Sequence, residues 1–332
     1  MTFHMQIKNV GGEQELADDG RYYGHTNSGR SSLRWLIRSM ELQGKTVLVP
    51  DFVCQVVIDV LLEFDIQVRF YAVHEDLEFS LPNELVGGGE KIDALYLVKY
   101  FGHASQAFQA ALSQSQWPLI IDDVFGLDVP EVAAPVSWGY FNSLRKITAV
   151  ADFSQVVCSV PLLAVGRERL VEFSTLKYQA KQAKAAFMHA NQGQESDYLS
   201  AFVRAESLLN EEVGIFLPEE KSVYLAGQCQ RNFAVSQALR QQNLLTAKTA
   251  LAAHQYIDIQ PDFASFLPLI LRQRDHVRRT LMQHGIFLAV HWPQTEQVPN
   301  ALSEQILSLP LDPRYDTETI LRVCELIKEL DQ

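Results

Sequence analysis

Phe141-Asn142-Ser143-Leu144-Arg145-Lys146 closes a run, Pro135 to Phe141, that reads as a strand. It places a lysine three residues after a serine, where the chain leaves a sheet edge. Among apolar neighbours and next to a second cation, Arg145, such a lysine can have its pKa lowered. It is then an amine nucleophile, able to form a Schiff base. The plain alternative is a surface loop with two basic residues. The rest of the chain decides between them.

From about residue 30 to 165, helix-like and strand-like segments alternate. Ser31 to Leu42 has helical spacing, with Leu33, Leu36, Ile37 and Met40 on one side. Thr46 to Pro50 is a short apolar strand stopped by proline, and Val53 to Phe64 returns to helical period. Val68 to Val73 and Ala94 to Val98 read as strands and Ser105 to Leu112 as a helix. Pro118 to Ile121 is a strand that runs into Asp122-Asp123. Gly87-Gly88-Gly89 is the clearest turn. The alternation predicts an α/β fold with a mainly parallel, two-sided sheet, whose ligands sit at the carboxyl ends of the strands.

After Gly166 the segments 168–191 and 198–210 are rich in Ala, Gln, Lys and Leu and predict two long helices, with a third over 228–242. From about residue 246 a smaller α+β unit is expected. Its parts are strand 263–271 with Pro268 inside it, helix 276–284, strand 286–290 and closing helix 317–330. The predicted organisation is a large domain over 1–245, with the long connecting helices, and a small C-terminal α+β domain over 246–332.

The net charge of −12 disfavours a general nucleic-acid binder, which needs clustered Lys and Arg. Cys54, Cys158, Cys229 and Cys324 are far apart and form no CxxC, as expected of reduced thiols in the cytoplasm. No signal peptide or membrane-spanning run is indicated. The histidines show no metal-ligand spacing, so no metal site is expected. His25 and His103 fall on loops near the candidate site, where they could assist proton transfer or bind substrate, but surface or packing roles are the plainer reading. Arg272 to Arg279 reads as the exposed face of a helix.

Two further stretches bear on Lys146. Ser28-Gly29-Arg30-Ser31-Ser32 opens the first helix. Free amides and the positive end of the helix dipole suit a phosphate there, although an ordinary N-cap uses the same residues. Asp122-Asp123 ends a buried strand, where a carboxylate can hold a protonated ring nitrogen. A solvated turn is the alternative. The order is telling: a phosphate-type turn, a strand-end acid about a hundred residues on, and a serine-spaced lysine about twenty after the acid.

In this order the chain resembles the fold-type I pyridoxal-phosphate enzymes, and among them the DegT/DnrJ/StrS family of aminotransferases. Asn27 to Leu33 resembles the family's phosphate turn, Val49 to Cys54 the segment leading to the ring-stacking position, and Tyr100-Phe101-Gly102 its hydrophobic-Gly loop. Asp122-Asp123 resembles its acidic pair and Ser143 to Lys146 its lysine loop. His291-Trp292-Pro293 and Leu307 to Leu311 resemble parts of its small domain.

The resemblance implies pyridoxal 5'-phosphate as cofactor and Lys146 as the Schiff-base lysine and proton shuttle. It implies Asp123 at the pyridine nitrogen. Ser28, Gly29 and Arg30 would hold the phosphate with help from Ser143. Cys54 falls at the stacking position, with Phe52 and Phe125 as neighbouring alternatives. The chain departs from the family pattern at Cys54, at Gly126 and at Asp152-Phe153-Ser154. The implied protein is a homodimeric aminotransferase that takes a small amino donor and a keto acceptor, such as a nucleotide-linked sugar. The alternative is a relative that keeps the scaffold but has lost or changed the reaction.

Overall fold

The computed structural model describes residues 12–13, 16–82, 91–298 and 300–331. The Gly87-Gly88-Gly89 turn lies outside them. One large sheet is built from β1 (Tyr22–Thr26), β2 (Thr46–Pro50), β3 (Gln67–Val73), β4 (Phe79–Ser80), β5 (Ala94–Val98), β6 (Leu119–Asp123), β7 (Trp138–Asn142) and β8 (Ser154–Cys158). Their order across the sheet is β1-β8-β7-β6-β5-β2-β3-β4. β7, β6, β5, β2 and β3 run parallel, and β8, β1 and β4 are antiparallel to their neighbours. Every residue of β5, β6 and β7 is buried, as a parallel sheet covered on both faces requires.

The chain fills the sheet in two directions. It goes from β2 outward to β3, then crosses to β5, β6 and β7 on the other side. The reversal between β2 and β5 leaves a crevice at the carboxyl ends of those strands. Helices α1 (Gly29–Ser39), α2 (Gln55–Leu62) and α3 (Gln106–Gln114) cover the sheet, and α4 (Leu144–Ile147) is one short turn directly after β7.

Parallel pairing sets Val98, Asp122 and Phe141 side by side across β5, β6 and β7, and Asp123 beside Asn142. Side chains alternate along a strand. The first row therefore faces one side of the sheet and the second row the other.

Beyond the sheet, α5 (Val171–Ala190) packs along α6 (Glu195–Glu211), followed by α7 (Glu220–Arg231) and α8 (Phe233–Ala250). The single helix expected over 228–242 is instead a junction of two. Asn232, at φ −95° and ψ 10°, ends α7 and starts α8. The last part holds a two-stranded antiparallel sheet of β9 (Phe266–Ile270) and β10 (Ile306–Pro310), with α9 (Arg274–Gln283), α10 (Leu302–Gln305) and α11 (Thr317–Leu330).

Pro268 is tolerated inside β9 because it has only a carbonyl to satisfy, and that oxygen accepts from the Ile257 amide at 2.9 Å. The strand expected over 286–290 does not form. The segment meets β10 at one bridge, Ala289 to Ser308, before the chain turns away to residues 291–293. Arg274 to Arg279 do lie on a helix, α9, as expected.

One hydrophobic core joins the large sheet and its helices to the C-terminal part, and Phe173, Ala205 and Leu209 form a separate small one between α5 and α6. Asp152 ties the α5–α7 layer to the loop after α4. Buried and 1% exposed, its carboxylate accepts from the Ser174 hydroxyl at 2.9 Å, the Glu219 amide at 3.0 Å and the Ser222 hydroxyl. Replacing it by alanine strands these donors. Asp152→Ala is expected to lose about 2–3 kcal/mol of stability in urea unfolding; an unchanged midpoint would show that the junction holds without it.

Candidate active site

A cleft opens at the strand-order reversal, with Lys146 at its wall. Four other residues expected from the sequence line it: Gly29, Arg30, Cys54 and Ser143. Val53, Val57, Val60 and Leu33 supply its apolar side.

Gly29 and Arg30 are the first two residues of α1, whose leading amides have no partner within the helix. Ser28 is fully buried and does not line the cleft. Its hydroxyl accepts from the Ser31 amide at 3.3 Å and donates to Asn27 Oδ1 at 2.9 Å, so it serves as the helix cap. Across the cleft stands Ser143. Its buried hydroxyl has no hydrogen-bond partner among the described residues and caps nothing in α4. A buried hydroxyl is seldom left unmatched, and this residue lines the same cleft as Gly29 and Arg30. Helix start and hydroxyl together make a cradle suited to a phosphate.

Lys146 opens onto the cleft, but protein crowds its amine from all sides. Burial, helped by the charge of Arg145 and then Arg30, pushes it down to about 8, against the pull of Cys54 and Glu206. Glu206 on α6 gathers the neighbouring cations. It lies 2.9 Å from Arg145 Nη1, 2.5 Å from Lys177 Nζ and 3.6 Å from Arg30 Nη2. The charges of Arg145 and Lys177 hold its carboxyl well below the usual range although burial opposes them. Lys181, one turn along α5 from Lys177, bonds the Thr148 carbonyl at 3.2 Å and is pushed down to about 8 by burial and by Lys177.

The acid pair divides between the two faces of the sheet. Asp122 lines the cleft. Its Oδ2 accepts from the Tyr96 hydroxyl at 2.7 Å and its Oδ1 from the Val124 amide at 3.2 Å. Burial raises it to about 6, while Tyr96, Val124 and the charge of Lys146 pull it down. Asp123 faces away from the cleft. Burial raises it to about 7, opposed by Lys99, whose amine lies 3.6 Å away and also binds Asp262 at 2.7 Å. A Cβ placed on Gly126 would overlap the Asp123 carboxylate. The glycine there is thus a packing requirement of Asp123.

Of the aromatic candidates, Phe125 lines the cleft, while Phe52 lies in the core against Tyr100 and Trp292. His25 stacks on Phe153 and His103 bridges to Pro261; neither lines the cleft. No group of three His, Cys, Asp or Glu among the described residues is arranged to hold a metal, and no helix is long and apolar enough to cross a membrane.

No protein-family model and no curated sequence matches the chain. Solved structures do. DesV of S. venezuelae, determined with a ketimine intermediate, superposes with a TM-score of 0.64 at 16% identity, covering 93% of this chain and 85% of DesV. A DegT/DnrJ/EryC1/StrS aminotransferase from Brucella abortus gives 0.63 at 14% identity over 93% and 86%. Helicobacter pylori PseC, an aminotransferase of pseudoaminic acid biosynthesis, gives 0.60 at 13% over 93% and 86%. The chain has the fold of the pyridoxal-phosphate aminotransferases.

In that aminotransferase fold the sequence did not foretell the second wall of the cleft. Trp292, from the C-terminal part, reaches the same space as Lys146. His291 beside it lies 2.9 Å through Nδ1 from Ser308 Oγ, and burial with the charge of Lys146 pushes it down to about 3. The only signal was the His291-Trp292-Pro293 motif, which carries no distance information.

At pH 8 a lysine of pKa about 8 is roughly half neutral, whereas an ordinary lysine is below about 1% neutral. Lys146 and Lys181 should therefore be the first two lysines labelled by a limiting amine-selective acylating reagent at that pH, as read by peptide mass mapping. Uniform labelling of surface lysines ahead of both would contradict the depressed values.

Proposed function

We propose that the chain is a pyridoxal-phosphate-dependent aminotransferase that moves an amino group from a small amino donor to a keto acceptor of the nucleotide-linked sugar class. The observation that carries this is the placing of Lys146: a lysine on a cleft that the start of α1 and Ser143, whose hydroxyl has no partner among the described residues, also line. The aminotransferase fold supports it, as does the structural neighbour DesI, which was solved with its TDP-sugar product. When bound, the cofactor supplies an aldehyde for an amine to join and an electron-poor ring to take up an electron pair.

The chain's own residues do the rest. The Gly29 and Arg30 amides and the Ser143 hydroxyl would hold the phosphate, with Arg30 and Arg145 adding positive charge. Val124, Cys54, Phe125 and Trp292 line the cleft and would wall a bound ring from water. Lys146 Nζ would hold and return the proton: near neutrality roughly a tenth of it is already free base. Burial sets that balance, Arg145 and Arg30 add to it by repelling the ammonium form, and Glu206 limits the effect. The adjoining cations also suit an anionic substrate.

We place the protein in the cytoplasm as a homodimer with a large domain over 1–245 and a small one over 246–332. In support, its four cysteines are unpaired. Apolar side chains stand exposed on successive helices, Leu199 and Val203 on α6, Tyr224 on α7 and Val235 on α8.

Adding pyridoxal phosphate to the purified protein should produce a visible absorbance band that an amino donor shifts, and Lys146→Ala should abolish it. Borohydride reduction should fix the cofactor mass on the peptide containing Lys146. A protein that stays colourless would instead be a non-catalytic relative on the same scaffold. Sedimentation velocity should give a dimer at micromolar concentration; a monomer would overturn the homodimer.

A further inference from the structure

We propose that Asp122, and not its neighbour Asp123, is the carboxylate that meets the ring nitrogen of the cofactor. The inference rests on the cofactor reading above and assigns a residue within that site.

The geometry of β6 carries it. Asp122 stands in one row with Val98 and Phe141, and all three line the cleft. Phe141 lies against Gly29, 3.3 Å from where a Cβ there would be, so this row faces the helix start that forms the phosphate cradle. Lys146 is on the same side and its charge is felt at Asp122. Two residues on from Asp122, Val124 lines the cleft as an apolar neighbour for a ring.

Asp122 is also held in one pose. Tyr96 and the Val124 amide take one lone pair on each oxygen, which leaves others free toward the cleft. A ring N–H can donate to one of these, and the carboxylate then keeps the nitrogen protonated.

Asp123 is covered. It stands in the opposite row with Asn142, and the backbone at Gly126 closes over its carboxylate. Both its oxygens lack a hydrogen bond among the described residues, but Lys99 at 3.6 Å supplies the countercharge. No ring can enter between Gly126 and Lys99 without moving the loop. Asp123 instead holds Lys99, which binds Asp262 of the C-terminal part.

The test uses binding, read by quenching of tryptophan fluorescence in the full chain stripped of cofactor. The two probes are pyridoxal phosphate and 1-deazapyridoxal phosphate, in which carbon replaces the ring nitrogen. The unaltered protein is expected to prefer the nitrogen-containing ligand by about tenfold or more, as a charge-assisted hydrogen bond predicts. Asp122→Asn should erase that preference and Asp123→Asn should keep it. Asp122→Ser, which adds no volume, replaces Asp122→Asn if circular dichroism shows that the latter is unfolded. Loss of the preference in Asp123→Asn with retention in Asp122→Asn overturns the assignment alone. Failure of the unaltered protein to bind either ligand overturns the cofactor reading, and the assignment with it.

Discussion

A parallel strand that ends inside the protein in two adjacent carboxylates must satisfy both without water, and β6 does this on opposite faces. Burying an unpaired charge is costly, so each acid needs a donor or a cation. Asp122 has Tyr96 from β5 and the amide of Val124, and Asp123 has Lys99 just past β5. Much of the local structure answers this need. Lys99 reaches on to Asp262, and the Ser265 hydroxyl donates to the Phe125 carbonyl at 2.6 Å, so the segment before β9 is fastened where the acids lie. The C-terminal part is held beside the cleft through the same residues that neutralise the strand end.

The second organising feature is an excess of cations. Arg30, Arg145, Lys146, Lys177 and Lys181 crowd the start of α1 and the turn after β7, in a chain whose net charge is −12. Glu206 neutralises only part of this. Repulsion and burial therefore act together on the lysines, and Lys146 responds most usefully because it is the one at the cleft wall. An anion in the cradle would relieve the congestion, which links cofactor or substrate binding to the protonation of the same amine.

Much of this was legible in the sequence, for physical reasons. β2 and β5 and the closing helix have the predicted limits because their apolar runs are bounded by Pro50, by the charged Asp93 and Lys99, or by the capping Asp316. Lys146, Ser143, Gly29, Arg30 and Cys54 follow fixed points of the strand–turn–helix pattern, and they come together in space. The misses are of two kinds. The break at Asn232 and the missing strand over 286–290 depend on tertiary contacts that composition does not report. Trp292 arrives from more than a hundred residues beyond Lys146, and only folding sets that proximity.

Which member of an acid pair faces a ligand is another thing the letters cannot say, because in a strand a shift of one residue exchanges the two faces. The departure at Gly126 shows how much this matters. Counted from Asp123, a glycine three residues on looks like a lost contact to the cofactor. In space it is the residue that lets the loop close over Asp123 and Lys99. Counted from Asp122, the third residue is Phe125, which lines the cleft and packs edge-on against His291 at 5.1 Å. This position offers an apolar ring where a polar side chain could have reached a bound ligand. The neutral His291 behind it adds no charge, so electrostatic control of a bound ligand would fall to Asp122, Lys146 and the cations around Glu206.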